Sequence, residues 1–270
     1  MIPMIHVIAT DLDHTLLREN HALSKETAKV LSHLHDQGLK VILASGRPVP
    51  GLTDLNAQLG LMQPEDYSIY LNGALVLNNR TGYEIYSRTL TAETLEAVGQ
   101  FAQQEAIPVE YISADTVYST TDFGRSSYST FAPKGMKFSY VKQAEFFPRK
   151  PIYKIGFANE PLRIDALQAT IKMLNVSVTR SRREFLELMP LGVNKAVGLE
   201  KVVHQLGYNA QQVMAFGDEE NDLEMLRYAG VSIAVANAQT KVKAVARYIT
   251  DTNEVDGVAQ FLKSWFSTSS

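Results

Sequence analysis

The fold of this 270-residue chain is decided by the stretch Val7-Ile8-Ala9-Thr10-Asp11-Leu12-Asp13-His14-Thr15-Leu16-Leu17. Its apolar half ends abruptly at two carboxylates, which predicts a buried strand followed by a charged loop. Asp11 and Asp13 lie two residues apart, so they point the same way and can share a cation, which would offset the high cost of burying an unpaired carboxylate. Alternatively, Asp13 begins a turn and Asp11 caps a nearby helix.

A helix and a second strand follow this acidic loop. Ser24 is a suitable N-cap for the helix, and the strand, Lys40 to Ala44, stops at Ser45-Gly46-Arg47. A β-α-β unit implies a parallel sheet with a right-handed crossover, so the two strands end at the same edge of the sheet. We therefore expect Asp11, Asp13 and Ser45 to be neighbours.

The periodicity changes after a third strand, Ser68 to Leu71, which ends in Asn72-Gly73. A β-hairpin is predicted between Ala74 and Leu90. The middle of the chain then has the pattern of a separate α+β unit. Its predicted helices span 91–106 and 160–175, and its predicted strands span 109–112, 116–120, 152–158, 176–179 and 185–188. Between positions 122 and 150 the sequence has no clear period and stays unassigned.

The pattern of a parallel sheet returns after Pro190. Asn194-Lys195 opens a helix, and the strand from Gln212 to Phe216 runs into Gly217-Asp218-Glu219-Glu220-Asn221-Asp222. Strands and helices then alternate to the end of the chain. We predict an α/β fold with a Rossmann-like parallel-sheet core, formed by residues 1–82 and 190–270, and an inserted α+β domain over residues 83–189.

The composition narrows the possible partners. A net charge of −3 and a pI near 6.1 give no basic surface for nucleic acid. The chain has no cysteine, which excludes disulfides, zinc–thiolate sites and a thiol nucleophile. No apolar run reaches the ~18 residues of a membrane-spanning helix, and no signal peptide is recognisable. We expect a cytoplasmic protein with no membrane or protein partner.

Polar residues from distant segments form a predicted constellation at the strand ends. Its members are Asp11, Asp13, Ser45 and Asp218, with Lys195, Asn221 and Asp222 beside them. Close carboxylates repel one another, and a hard divalent cation with oxygen ligands, Mg²⁺, is the simplest way to hold them. A lysine, a hydroxyl and glycine-flanked N–H groups suit a phosphoryl group. An aspartate can attack phosphorus, while a second acid protonates the leaving oxygen and later activates water.

The ordered motifs of the chain resemble those of the haloacid dehalogenase superfamily. They are Asp11-Leu12-Asp13-His14-Thr15, Ser45-Gly46-Arg47, Asn72-Gly73-Ala74, Lys195 and Gly217-Asp218-Glu219-Glu220-Asn221-Asp222. The insertion makes the chain similar to the Cof-type phosphatases of subfamily IIB, which carry an α/β cap there. The resemblance covers nearly the whole chain and is carried by the order and spacing of the motifs together.

The resemblance implies a role for each site residue. Asp11 would be the nucleophile and a Mg²⁺ ligand, Asp13 the acid/base that also binds metal through its carbonyl, and Asp218 a further ligand. The phosphate would be held by the Leu12 N–H, Ser45, Gly46, Lys195 and Asn221. Thr15, Arg47, Asn72 and Asp222 would support these groups, and Asp222 could also reach the metal through water. His14 departs from the usual glycine; a tolerated loop substitution explains it better than a role in titration or substrate contact.

The resemblance implies Mg²⁺-dependent hydrolysis of small phosphorylated metabolites, sugar phosphates among them, beneath a mobile cap that excludes water. A phosphomutase would use the same aspartyl chemistry but return the phosphoryl group to a second hydroxyl. A phospho-accepting receiver or a non-catalytic phosphate-binding module would also suit an acidic pocket with a lysine. Such a module needs neither Asp13 as an acid/base nor a large insertion, so hydrolysis is our prediction. The sequence does not specify the substrate.

Overall fold

The computed structural model describes residues 4–171 and 175–267. The helices are α1 (Lys25–Asp36), α2 (Pro50–Gln58), α3 (Ala92–Gln104), α4 (Pro161–Thr170), α5 (Lys195–Gln205), α6 (Leu223–Tyr228), α7 (Thr240–Val245) and α8 (Gly257–Ser267). The strands are β1 (Val7–Thr10), β2 (Lys40–Leu43), β3 (Tyr67–Tyr70), β4 (Leu75–Asn78), β5 (Glu84–Ser87), β6 (Glu110–Ile112), β7 (Thr116–Thr120), β8 (Lys137–Val141), β9 (Lys154–Ala158), β10 (Val176–Arg182), β11 (Phe185–Pro190), β12 (Val213–Gly217), β13 (Val231–Val235) and β14 (Tyr248–Thr250).

The chain divides into two compact units. The described part of the first unit comprises residues 4–46, 52–86 and 194–267, and that of the second comprises residues 47–51, 87–171 and 175–193. None of the helices in the described ranges combines the length and the hydropathy needed to cross a bilayer.

The first unit is built on a five-stranded parallel sheet in the order β14-β13-β12-β1-β2. β1 is central and wholly buried, and its last residue, Thr10, lies opposite Phe216 of β12 and Leu43 of β2. Because all five strands run the same way, the residues that follow them meet at one edge. The predicted α/β fold with a parallel-sheet core is confirmed. The Ser24 hydroxyl caps α1 by accepting a hydrogen bond from Thr27 N at 3.0 Å, also as predicted.

The third predicted strand, β3, belongs to a different sheet from β1 and β2. It pairs antiparallel with β4 in a three-stranded sheet of order β3-β4-β5, which contains the predicted hairpin. Its link to β2 is an isolated parallel bridge between Ala44 and Ile69. Ala44 lies one residue beyond the end of β2. β3 therefore lies beside the end of β2 and not along its length.

The second unit is an α+β layer. Its sheet has the order β10-β11-β9-β6-β7-β8 and is antiparallel except for the β7–β8 pair. Apolar residues of α3 and α4 pack against one face of this sheet in a single core that includes Val98, Ile164 and Phe157. α4 ends at Thr170, and the end of the predicted helix at 172–174 lies outside the described residues.

The segment that had no clear period, 122–150, contains the edge strand β8 and two short 3₁₀ turns. Every residue of β8 keeps some exposure to solvent. An edge strand of this kind does not need the strict alternation of apolar residues that identifies a half-buried strand, which is why the sequence pattern did not reveal it.

The other face of this sheet carries a buried carboxyl, Glu110. The register places it beside Gly156, and Gly156 beside Glu187, which forms a buried ion pair with Lys154. Glu110 Oε1 accepts hydrogen bonds from the hydroxyls of Ser119 and Ser126, whereas Oε2 has no partner among the described residues. Burial raises the pKa of Glu110 to about 7.

The raised pKa of Glu110 makes the stability of the second unit depend on pH. The unfolded chain loses this proton near pH 4.5 and the folded unit near pH 7, so the folded state is destabilised as the pH rises between those values. We expect the wild-type protein to lose about 2 kcal/mol of unfolding free energy, relative to Glu110→Gln, between pH 5 and pH 7.5. Urea unfolding followed by circular dichroism measures the difference.

The matched control is Glu145→Gln, which removes a carboxylate from the surface of the same unit. Equal pH slopes for the wild-type and Glu110→Gln proteins would show that the buried carboxyl does not titrate as described.

Candidate active site

The loop after β1 begins at the sheet edge and folds back on itself. Asp11 N donates to Phe216 O at 3.1 Å, so the backbone ladder continues one residue past the strand. The amides of Leu16 and Leu17 both donate to Leu12 O, which closes the loop. His14 has a φ of 61°, a left-handed conformation that glycine adopts without strain, which accounts for the glycine that the resemblance leads us to expect at this position.

Lys195 is the first residue of α5 and has no exposure to solvent. Asn194 places it by capping the helix: its side-chain oxygen accepts a hydrogen bond from Val197 N at 3.0 Å. The Lys195 ammonium donates to Asp11 Oδ1 and, at 2.7 Å, to Asp222 Oδ1. Lysine and the first loop therefore meet across 184 positions of sequence.

Asp222 holds the lysine and the next loop at the same time. Its Oδ2 accepts hydrogen bonds from the amides of Asp218 at 3.0 Å and Glu219 at 3.1 Å. It lies against the backbone of Gly217, where a Cβ would come within 2.5 Å of the Asp222 Cβ. Both carboxylate oxygens are thus engaged by protein groups, which fits the predicted supporting role of this residue.

Three carboxylates converge at this edge of the sheet: Asp11, Asp218 and Asp222 offer oxygens that lie within 4.8 Å of one another. Thr15 Oγ1 donates to Asp218 Oδ1 at 2.5 Å and so ties the first loop to the loop after β12. The predicted side-chain ligands Asp11 and Asp218 are brought together here. Asp13 stands apart from this carboxylate cluster; its predicted metal contact is through the main-chain carbonyl, not the side chain.

The electrostatics of the carboxylate cluster favour a bound cation. Burial raises the pKa of Asp11, although Lys195 opposes the shift, and burial with the neighbouring Asp222 raises the pKa of Asp218 to about 7. For Lys195, burial alone would lower the pKa, but Asp11 and Asp222 outweigh it and hold the pKa above its ordinary value. One lysine does not neutralise three acids, and oxygen donors at this spacing suit a hard divalent cation.

The predicted phosphate-binding residues lie where the ends of β2 and β3 meet. Asn72 N donates to Ser45 O at 2.9 Å, and Asn72 Oδ1 accepts a hydrogen bond from Asn221 Nδ2 at 3.1 Å. A Cβ at Gly46 would come within 2.9 Å of that same Asn72 oxygen. Ser45, Gly46 and Asn221 are therefore joined through Asn72, which the sequence placed only in a supporting role.

Gly73 allows the loop after β3 to approach the start of α5. It has a φ of 95°, and a Cβ there would lie 2.1 Å from Asn194 O. Only glycine allows both the conformation and the contact.

Leu12 and Arg47 are the remaining predicted site residues. The main chain of Leu12 lies in the acidic loop, while its side chain is fully buried in the core. Arg47 belongs to the second unit, where its guanidinium donates to Gly51 O at 3.4 Å.

Comparisons with known proteins identify the family to which the chain belongs. Residues 8–262 match the family of haloacid dehalogenase-like hydrolases. The chain is 30% identical to the 5-amino-6-(5-phospho-D-ribitylamino)uracil phosphatase YitU of Bacillus subtilis, over 97% of this chain and 98% of that protein. The crystal structure of a haloacid dehalogenase-like hydrolase from Bacteroides thetaiotaomicron covers 96% of this chain and 99% of its own, with a TM-score of 0.86 and 26% identity.

The fold is also shared with a sugar phosphatase of subclass IIB, BT4131, at a TM-score of 0.79 and 22% identity over 96% of this chain and 98% of that one. The chain belongs to the haloacid dehalogenase-like hydrolases. Within them it is a Cof-type phosphatase, an enzyme that hydrolyses phosphoric monoesters.

The ion pairs of Lys195 make a prediction about stability. Lys195→Met keeps an unbranched side chain that is one atom shorter, but it leaves two carboxylates buried without their cation. We therefore expect it to lower the free energy of unfolding of the first unit by about 3 kcal/mol. Urea unfolding followed by the fluorescence of the single tryptophan, Trp265 in α8, measures it.

Lys201→Met, on the exposed side of the same helix, is the matched control. It loses an exposed cation–π contact with Tyr86 and should change stability by no more than about 1 kcal/mol. Equal stability of the Lys195→Met and Lys201→Met proteins would contradict the dependence on the buried ammonium.

Proposed function

We propose that the protein is a Mg²⁺-dependent phosphatase of small phosphate monoesters, with sugar phosphates as the expected class, and that it works through an aspartyl phosphate on Asp11. The observation that supports this most directly is the buried ammonium of Lys195, bonded to Asp11 inside a group of three carboxylates. Such a site has an anionic side for a cation and a cationic side for the oxygens of a phosphoryl group.

The proposed Mg²⁺ ligands are the carboxylates of Asp11 and Asp218 and the main-chain carbonyl of Asp13. Asp222 is a positioning residue, because its oxygens are taken by Lys195 and by two backbone amides. When bound, Mg²⁺ would offset the charge of the phosphoryl oxygens and let Asp11 approach the phosphorus.

In the first half of the proposed reaction, a carboxylate oxygen of Asp11 attacks phosphorus and the ester P–O bond breaks. The Asp13 carboxyl gives its proton to the leaving oxygen, so the product leaves as an alcohol. Lys195 opposes the rise that burial causes in the pKa of Asp11, and its hydrogen bond holds the carboxylate in place for the attack.

In the second half, the Asp13 carboxylate takes a proton from water while the water oxygen attacks the same phosphorus. The bond to Asp11 breaks, inorganic phosphate is released, and Asp13 is protonated again for the next turnover. The Leu12 N–H, Ser45, Gly46, Lys195 and Asn221 are the proposed donors to the phosphoryl oxygens. Asn72 links three of these residues and would fix their spacing.

The relatives support the substrate class. YitU is named for a substrate that carries a phosphorylated ribityl group, and BT4131 is described as a sugar phosphatase. Because the relatives are phosphatases, hydrolysis is favoured over phosphoryl return to a second hydroxyl or storage on a receiver. We further propose that the predicted insertion, 83–189, is the cap that selects the substrate, and a cytoplasmic location stays a prediction.

The first test is release of inorganic phosphate from a panel of sugar phosphates, nucleotides and p-nitrophenyl phosphate. Excess chelator should abolish release, and Mg²⁺ should restore it. Ca²⁺ should restore far less, because it prefers more ligands and longer distances. No release from any ester by the folded protein with Mg²⁺ present would contradict the proposal, and conversion of one sugar phosphate into a positional isomer would indicate a mutase.

The assignment of Asp11 is tested by Asp11→Asn. The amide cannot form the aspartyl phosphate, so we expect kcat to fall by more than about 10³-fold while the fold is retained. Asp36→Asn, at the exposed end of α1, is the matched control for the same chemical change. Rapid quench with radiolabelled substrate should trap a labelled wild-type protein and an unlabelled Asp11→Asn protein. Near wild-type turnover by Asp11→Asn would exclude Asp11 as the nucleophile.

A further inference from the structure

A tight turn in the first unit brings His21 back toward the acidic loop. Arg18 N donates to Ala22 O at 3.1 Å, and His21 N donates to Arg18 O at 2.8 Å. Asn20 Oδ1 accepts a hydrogen bond from Ala22 N at 3.0 Å. His21 closes the turn with a φ of 61°, a conformation in which histidine and asparagine are among the tolerated side chains.

This turn is fixed by the far end of the sequence. Asn253 Nδ2 donates to Leu17 O at 2.9 Å, and Glu19 N donates to Glu254 Oε1 at 2.7 Å. The Arg18 guanidinium forms an ion pair with Asp256 at 3.2 Å. The backbone on the N-terminal side of His21 is therefore held by contacts that do not involve the imidazole.

The imidazole of His21 reaches the carboxyl of Asp13. Its Nδ1 lies 3.1 Å from Asp13 Oδ1, with the His21 side chain 53% exposed and that of Asp13 35% exposed. Because both groups are exposed to water, the contact adds little to stability. The contact instead orients the Asp13 carboxyl group. When His21 Nδ1–H donates to Oδ1, the proton that Asp13 delivers is carried on Oδ2.

We propose that His21 is a positioning residue for the general acid, holding the Asp13 carboxyl so that Oδ2 faces the oxygen of the leaving group. The inference rests on the proposed role of Asp13 and adds a residue that no motif of the sequence contains. His21 itself touches neither the phosphoryl group nor the metal in this proposal. It acts through the Asp13 carboxyl, and only protonation of the leaving oxygen depends on which ester is used.

A pair of esters separates this role from a structural one. Benzyl phosphate releases an alkoxide that needs a proton, whereas p-nitrophenyl phosphate releases a stable phenolate that does not. We expect His21→Ala to lower the single-turnover rate of alcohol release from benzyl phosphate about tenfold or more, and to change the single-turnover rate of phenol release from p-nitrophenyl phosphate less than about twofold. Asp13→Asn should show the same selectivity more strongly for the phosphorylation step, measured as release of the alcohol or phenol in a single turnover.

The chain offers a close control in His14. It lies in the same loop, also has a φ of 61°, and its Nδ1 is also 3.1 Å from a carboxylate, that of Glu19. His14→Ala therefore carries the same backbone strain and the same loss of an exposed contact, and it should keep the wild-type ratio of the two rates. His21→Asn should recover most of the benzyl phosphate rate, because the Asn Nδ2–H corresponds to the histidine Nδ1–H and asparagine tolerates this φ.

The possible outcomes are distinguishable. Equal losses on both esters in His21→Ala, or a His14→Ala protein with the same selectivity, would show that the turn and not the imidazole matters. A wild-type protein that releases phosphate from neither of these esters nor from any sugar phosphate or nucleotide of the panel contradicts the proposed function itself. An Asp13→Asn protein without leaving-group selectivity removes the acid on which His21 is proposed to act.

Discussion

A lysine ammonium with no access to water is the constraint on which the first unit depends. Burying such a charge costs several kcal/mol unless it is paired, and Lys195 is paired twice, with Asp11 and Asp222. The two acids come from different strand ends. The loop after β1, the start of α5 and the loop after β12 must therefore all be in place before the charge is compensated, so one interaction joins three segments of the site.

The polar residues meet because the backbone allows them to. Parallel pairing of β2, β1 and β12 brings three strand ends to one edge. At Gly73 the chain passes so close to the carbonyl of Asn194 that a side chain would not fit, and at Gly217 the missing side chain leaves room for Asp222. These two glycines set the distances between the proposed phosphate-binding residues, the lysine and the carboxylates. Substitutions there would displace the proposed chemistry without removing any of its functional groups.

The sequence predicted the structure best at positions where the residue type has a specific chemical role. Acidic residues at strand ends and a lysine at a helix start predicted the parallel sheet and the meeting of Asp11 and Asp222 with Lys195. The sequence pattern did not predict features that depend on contacts between distant parts of the chain. It did not show that β3 lies outside the main sheet, that β8 exists, or that Asp222 bonds the lysine and two amides at once. Glu110 and His21 gave no signal, because each depends on neighbours from other elements.

The order in which the chain is synthesised has a consequence for this site. The turn after the acidic loop is fastened by Asn253, Glu254 and Asp256, and β1 lies between β2 and a strand, β12, that begins at Val213. During translation the whole insertion leaves the ribosome before β1 can gain its second neighbour. The acidic loop therefore remains incompletely supported until residues 253–256 have emerged, and a nascent chain with its first motif intact still has no assembled site.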